Sequence, residues 1–236
     1  MKTQYNLTVA VILFITSIIF YGTAFGQNDD RESRIYDSGK FTGLFLEGAF
    51  GVELIQGKNH SVEVRATDPR AFDYLTITNQ DGLLHLHVDR KPFDFSRITL
   101  YVTFETLTRL RIFGSIRLET RGYLDLNNLD MLIEGGARVK LQGKAHSISV
   151  ENKGGVLVEL LGVTDILNIR LAGTGHINAG ELKARDVEFR IDGVGTGKVF
   201  ATNKLNATIN GAGKIRYAGD PEVKENIEGL GSVSRD

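Results

Sequence analysis

The sequence predicts an all-β fold, a parallel β-solenoid (β-helix) of Gly-punctuated repeats of roughly 18–21 residues, with an N-terminal β-hairpin layer. Three observations lead there. Glycine is frequent at 27 residues while proline is only 3, so turns are built from glycine and strands run uninterrupted. Apolar residues alternate with polar ones, and no stretch keeps a three-four apolar spacing over three turns, so no substantial helix is expected beyond the N-terminal leader. The alternation is also tied to a recurring glycine, which makes it a repeat.

Aligned on one glycine per unit, the chain offers Gly48, Gly114, Gly135, Gly154, Gly173, Gly193, Gly211 and Gly229. Four residues before it stand Leu44, Leu110, Met131, Val150, Ile169, Phe189, Ala207 and Glu225. Two before it stand Leu46, Ile112, Ile133, Asn152, Leu171, Ile191, Ile209 and Ile227. Four after it stand Val52, Leu118, Val139, Val158, Ile177, Gly197, Ile215 and Val233. A period of two buries one face of each strand and wets the other. The glycine marks a bend, since it takes positive φ at little steric cost. Each column has one exception. Asn152 reads as a buried side chain satisfying its own turn. Gly197 suggests a register shift that makes Val199 the inward residue. Glu225 fits a terminal repeat, which is expected to be more polar.

Two architectures accommodate this period. A parallel solenoid spends one unit per coil, whereas an antiparallel meander would use each glycine pair as a hairpin turn. The inward columns stay aligned unit after unit, which favours the coil. Between Ser61 and Phe104 the pattern changes to SVEVRAT, LTITNQDGLLHLHV and ITLYVTF, with Asp81-Gly82 as a hairpin signal. These strands are expected to pack on, or cap, the first repeats.

The first twenty-six residues read as a secretory signal peptide: Lys2, the apolar run Val9 to Phe20, then Ala24 and Gly26 before a cut ahead of Gln27. The apolar run is shorter than the roughly 20 residues of a membrane span, so no transmembrane segment is expected after cleavage. Residues 27–38 are polar and read as a linker, and 39–236 as one domain, with 39–105 the N-terminal layer and 106–236 the repeat stack. The expected location is the periplasm, the outer membrane or outside the cell. With no cysteine, such a chain must hold together by core burial alone. The 28 basic and 29 acidic residues nearly cancel, so charge gives no reason to expect nucleic acid.

Catalytic chemistry is sparse. There is no thiol nucleophile and no Gly-x-Ser-x-Gly elbow, and GVGTGK neither opens a helix nor ends in Lys-Ser/Thr as a phosphate loop does. Asp125, Asp130, Asp165, Asp186 and Asp192 fall at scattered offsets, against a carboxylate pair shared between coils. No enzyme activity and no cofactor are expected. His85 and His87 lie two apart on one strand face, but no third metal ligand is evident, so they read as a solvated pair and no metal site is assigned.

One outward feature stands above background. After the glycine, outward positions carry Arg117, Arg138, Lys140, His176, Lys198, Lys214 and Arg216, interrupted by Glu119 and Glu159. Stacked coils would gather them into a basic stripe. A solvated face with edge-protecting charges accounts for such a stripe. The functional reading is attraction to an anionic glycan, lipopolysaccharide or surface polymer. Exposed coil ends also make a homo-oligomer plausible.

The C-terminal run INGAGKIRYAGDPEV from Ile209 to Val223, followed by EGLGSV from Glu228 to Val233, resembles the signature of the bacterial auto-transporter adhesin head (GIN) domains, a family of unknown function common in exported proteins of Bacteroidetes. FTGLFLEGAFGVELIQGKNHSVEVRATD resembles that family's opening strands, and LTITNQDGLLHLHV its Asp-Gly hairpin. The resemblance runs from about Phe41 to the C-terminus. Its departures are FGS, EGG and KGG in place of Gly-x-Gly in the middle units, which bear on turn geometry. The resemblance implies a β-helical fold and a non-catalytic, adhesin-like binding or scaffolding role at the envelope or surface. A periplasmic stress or assembly component with a protein partner is the alternative, and a polysaccharide-active β-helix enzyme a more distant one.

Overall fold

The computed structural model describes residues 31–89 and 98–236. The signal-peptide reading and residues 27–30 of the expected linker lie outside the described residues. The strands, in chain order, are β1 (Glu32–Asp37), β2 (Gly43–Gln56), β3 (Ser61–Ala66), β4 (Leu75–Gln80), β5 (Leu83–Val88), β6 (Thr99–Phe104), β7 (Arg109–Arg121), β8 (Leu124–Asp125), β9 (Asn128–Asn152), β10 (Gly155–Leu171), β11 (Thr174–Ile191), β12 (Val194–Ile209), β13 (Ala212–Ala218), β14 (Glu222–Ile227) and β15 (Leu230–Arg235). A single 3-10 turn, Pro69–Tyr74, is the only helical element among the described residues.

The chain is a parallel β-solenoid. β2, β7, β9, β10, β11 and β12 pair in that order, every pair parallel, and β12 continues to β13 and β14. The register is one repeat per coil: Gly48 faces Gly114 and Gly114 faces Gly135. The meander is thereby excluded, since it would pair successive units antiparallel. The first glycine unit, remote in sequence from the others, rejoins them: β2 pairs with β7 from Gly43 to Ile55.

Each coil has one wall before its glycine and one after, and their inward side chains meet. Leu44, Leu110, Met131, Ile169, Phe189 and Ala207 are buried on the first wall, and Val52, Leu118, Val139, Val158, Ile177 and Ile215 on the second. Full burial of one such aliphatic or aromatic side chain contributes roughly 1.5–3 kcal/mol, largely offset by chain entropy, so each coil needs its neighbours.

Glycine fills its column mainly for space. A Cβ on Gly193 would lie 1.9 Å from the carbonyl oxygen of Gly173, and one on Gly154 would lie 2.1 Å from that of Gly135. Positive φ accompanies this only at Gly48, Gly114 and Gly135, where the strand runs through the bend unbroken. From Gly154 onward the strand stops and restarts instead. The sequence departure at FGS and EGG thus corresponds to a continuous bend, and KGG already to the broken turn.

The exceptions to the columns resolve individually. Asn152 is fully buried, and its amide both donates to Gly154 O and accepts from Gly154 N, each at 3.0 Å. Gly197 corrects the expected register shift. It stays in line with Ile177, and Val199 is simply the next inward residue, facing Ala179. A Cβ at Gly197 would lie 2.0 Å from the Phe189 ring, so the large side chain on one wall requires none on the other. The slip occurs later, between Ala179 and Lys183.

The N-terminal layer completes the stack. β5 pairs parallel with the first half of β2, and β6 with the second half. Together they extend the stack by one rung. β4 then pairs antiparallel with β5, across Asp81 and Gly82, which both have positive φ (50° and 77°) as a type I′ hairpin requires. β3 covers β6 antiparallel, and β1 covers β3. The expected linker is corrected here, because Glu32–Asp37 is a strand paired along its length with Ser61–Ala66.

Candidate functional site: the wall beyond the glycine column

The alternation that buries Val139 and Ile215 turns their neighbours outward, and parallel register places those neighbours in ladders. Strands in register stand about 4.8 Å apart, so one position per coil forms a continuous column. Arg117 faces Arg138, then follow Leu157, His176, Thr196 and Lys214. The parallel column holds Glu119, Lys140, Glu159, Asn178, Lys198 and Arg216. All seven sequence-selected residues therefore lie on one wall, divided into two columns of different character.

The second column neutralises itself. Lys140 Nζ is 3.2 Å from Glu159 Oε2. Lys198 is bonded to the Asp236 carboxylate, which also lies 3.7 Å from Arg216 Nε. The Lys198 hydrogen bond, aided by the charges of Lys198, Arg216 and Lys214, holds the Asp236 carboxyl below its usual range. In the first column His176 Nδ1 meets Thr196 Oγ1 at 2.7 Å. Arg117, Arg138 and Lys214 are exposed and have no carboxylate within ion-pair distance among the described residues. Arg117 and Arg138 are direct cross-strand neighbours of like charge, an arrangement that costs rather than contributes stability.

Apolar residues share this wall. Leu157 sits in the first cation column, and Val194 (56% exposed) and Leu230 (80% exposed) lie in the adjoining outward ladder through Ala212. The wall thus mixes cationic, anionic and exposed apolar side chains.

His85 and His87, on β5, face Phe45 and Glu47 of β2. Glu47 Oε2 is 3.1 Å from His85 Nε2 and 3.2 Å from His87 Nδ1. Sequence reading found the two histidines and missed Glu47, which is 38 residues from His85. Its one legible signal is an outward position just before the first repeat glycine. The five scattered aspartates remain unpaired with one another: Asp130 pairs with Arg111, Asp125 with Lys144, Asp186 with Arg185, and Asp192 with Arg170 and Arg190, while Asp165 lies 2.8 Å from His146 Nδ1.

The family model described as "Putative auto-transporter adhesin, head GIN domain" matches residues 40–221. Among solved structures, a protein described as a putative adhesin from Bacteroides fragilis superposes with a TM-score of 0.77 at 22% identity, covering 87% of this chain and 97% of that one. A protein described as a putative lipid binding protein from Parabacteroides distasonis gives 0.67 at 23% identity, covering 89% and 98%. A putative adhesin from Parabacteroides merdae gives 0.61 at 19%, covering 89% and 97%. At these identities the likeness is one of fold. No curated protein matches the chain.

Proposed function

The chain belongs to the auto-transporter adhesin, head GIN domain family, and from that premise we propose that it is an exported, non-catalytic binding protein of the cell envelope or surface whose cationic wall takes an anionic polymer such as an acidic glycan or lipopolysaccharide. The observation that carries the reading is that Arg117, Arg138 and Lys214, in one column, have no carboxylate within ion-pair distance among the described residues, on a wall whose neighbouring column is ion-paired. Stacking Arg117 against Arg138 costs stability unless a negative partner bridges them, and a polymer with repeated charges can bridge successive coils. Guanidinium groups suit the planar oxyanions of sulfate, carboxylate and phosphate.

Heparin chromatography of Gln27–Asp236 tests the proposal. Binding should weaken as salt rises, because exposed charges are screened beyond about 8 Å at physiological ionic strength. Joint replacement of Arg117, Arg138 and Lys214 with Ser should lower the eluting salt clearly, while Lys140, Lys198 and Arg216 replaced together should lower it less. Elution of the first variant at the wild-type salt overturns the glycan reading. A second reading, a protein partner at the envelope, draws on the exposed Leu157, Val194 and Leu230 of the same wall. It predicts binding that survives high salt and is lost with Val194→Ser and Leu230→Ser.

A further inference from the structure

At the N-terminal end of the other wall, three potential donors converge. We propose that Glu47, His85 and His87 form a binding site for a divalent transition-metal ion of the zinc class, joining the N-terminal layer to the first coil. One atom of each, a carboxylate oxygen and two ring nitrogens, lies within 4.8 Å of the others. The two nitrogen–oxygen separations, 3.1 and 3.2 Å, are close to the roughly 3.4 Å edge of a tetrahedron built on bonds of about 2.1 Å. A metal could thus be accommodated by small side-chain adjustments.

The donor orientation points the same way. His87 Nδ1 is buried and makes no hydrogen bond among the described residues, although Glu47 Oε2 lies only 3.2 Å away. The oxygen therefore stands off the ring-nitrogen axis. His87 Nδ1 and Glu47 Oε2 are related as two ligands of one ion are, while His85 Nε2 is hydrogen-bonded to the same oxygen at 3.1 Å, a bond that an ion seated between them would replace. The buried nitrogen would otherwise remain unsatisfied, which is costly.

The scaffold fixes the three groups before any ion arrives. β5 is held on both edges: His85 and His87 face Phe45 and Glu47 of β2 in parallel register, and Thr78 and Thr76 of β4 in antiparallel register. The His85 ring packs edge-on against Phe45 at 4.5 Å, and Phe45 stacks on Phe113 at 4.8 Å. Sites on paired strands hold ligand geometry more tightly than sites on loops. The side chains are each 34–44% exposed, leaving an approach for the ion and a fourth position open to solvent. Two imidazoles and one carboxylate select zinc-class ions over calcium and magnesium, which prefer all-oxygen sets. The His-x-His spacing alone was insufficient, because the third ligand comes from a strand that only the parallel pairing of β2 and β5 brings alongside.

The experiment is isothermal titration of tag-free, EDTA-stripped Gln27–Asp236 with zinc chloride, with magnesium and calcium chloride in parallel. One zinc per chain should bind saturably, magnesium and calcium should not compete, and the melting temperature should rise with zinc. His85→Gln with His87→Gln should weaken zinc binding by about 100-fold or more, and Glu47→Gln by about 10-fold. NMR of the histidine rings in the unsubstituted protein makes the test independent of whether variants fold: zinc should shift His85 and His87 and leave His146 and His176 in place. Absence of saturable binding, equal binding of magnesium, shifts centred on other histidines, or undiminished affinity in a folded double variant would each overturn the site.

Discussion

The two outer walls of the solenoid are made of the same strands at the same spacing, yet one column of the second wall handles charge unlike anything on the first. On the wall before the glycine column, cations have carboxylates beside them, even where Arg170 stands directly against Arg190. Arg111 is bonded to Asp130, Lys153 Nζ lies 3.1 Å from Glu134, and Asp192 is shared by Arg170 and Arg190 at 3.0 and 2.7 Å. Asn210 donates to the same Asp192 carboxylate at 2.9 Å. On the wall after it, Arg117 stacks on Arg138 with no carboxylate within ion-pair distance among the described residues, and Lys214 ends the same column beyond Leu157, His176 and Thr196. In a parallel solenoid each outward residue faces its counterpart on the next rung, so a like-charged pair such as Arg170 and Arg190 is satisfied only by a carboxylate in an adjoining column, here Asp192, and a pair without one stays available to a partner. Arg117 and Arg138 have no such carboxylate among the described residues, and their column has charge to offer.

The largest effect expected removes both walls together. Ile191→Asp and Ile215→Asp put a carboxylate in the core from either side, a cost of several kcal/mol or a pKa forced upward. Neither protein should give a cooperative melt by circular dichroism. If one wall tolerates the charge, the two do not share a core. Next comes the column dividing the walls. Gly193→Ala places a Cβ against two backbone carbonyls, of Gly173 and Ala172, and should cost about 3 kcal/mol. Gly155→Ala, one step onto the cationic wall with nothing within 4 Å, should change stability by about half a kcal/mol or less in the same denaturant titration.

The third expectation concerns acid. Burial opposes ionisation of Asp192, but hydrogen bonds from Asn210, Arg170 and Arg190 outweigh it, so its carboxyl sits below its usual range. A carboxyl with a depressed folded-state pKa contributes stability that is present above its unfolded value, about 3.9, and is lost as pH falls through the folded value. Asp192→Asn should therefore lower stability by about 1 kcal/mol near neutral pH. Melting curves from pH 7 to pH 2 should show the gap to wild type closing below about pH 4. A gap that persists at pH 2 would mean that shape, not charge, is what Asp192 supplies. The smallest effect belongs to the other wall: Arg138→Ser should leave stability unchanged or raise it by a few tenths of a kcal/mol, because it relieves like-charge stacking. A loss of more than about 1 kcal/mol would show that Arg138 is part of the fold's own framework.

Arg170 shows where outward position alone misleads. By alternation it is a solvated residue, and replacing it with Asp would be nearly neutral. In the structure it lies between Asp192 and Glu151, so the same change would set three carboxylates together. Lys140, Lys198 and Arg216 carry the same lesson on the other wall, since their partners Glu159 and Asp236 come from other rungs.

The sequence by itself determined what is periodic and local. The inward columns follow from alternation, the bends from glycine, and the Asp81-Gly82 hairpin from the positive φ that its two turn residues must adopt. The family resemblance was legible for the same reason, since its motifs are these turns. Tertiary structure decided what depends on pairing between distant segments. Glu32–Asp37 looked like a linker because an exposed edge strand lacks an apolar face, and only its bond to β3 makes it a strand. Gly197 looked like a slipped register until Phe189 was seen to occupy its space. Glu47 acquired histidine neighbours, and Arg117 and Arg138 were left without counter-ions, through a parallel register that local sequence cannot express. Alternation fixes which side of a strand a residue faces, while the partner it meets there is chosen by how the strands are stacked.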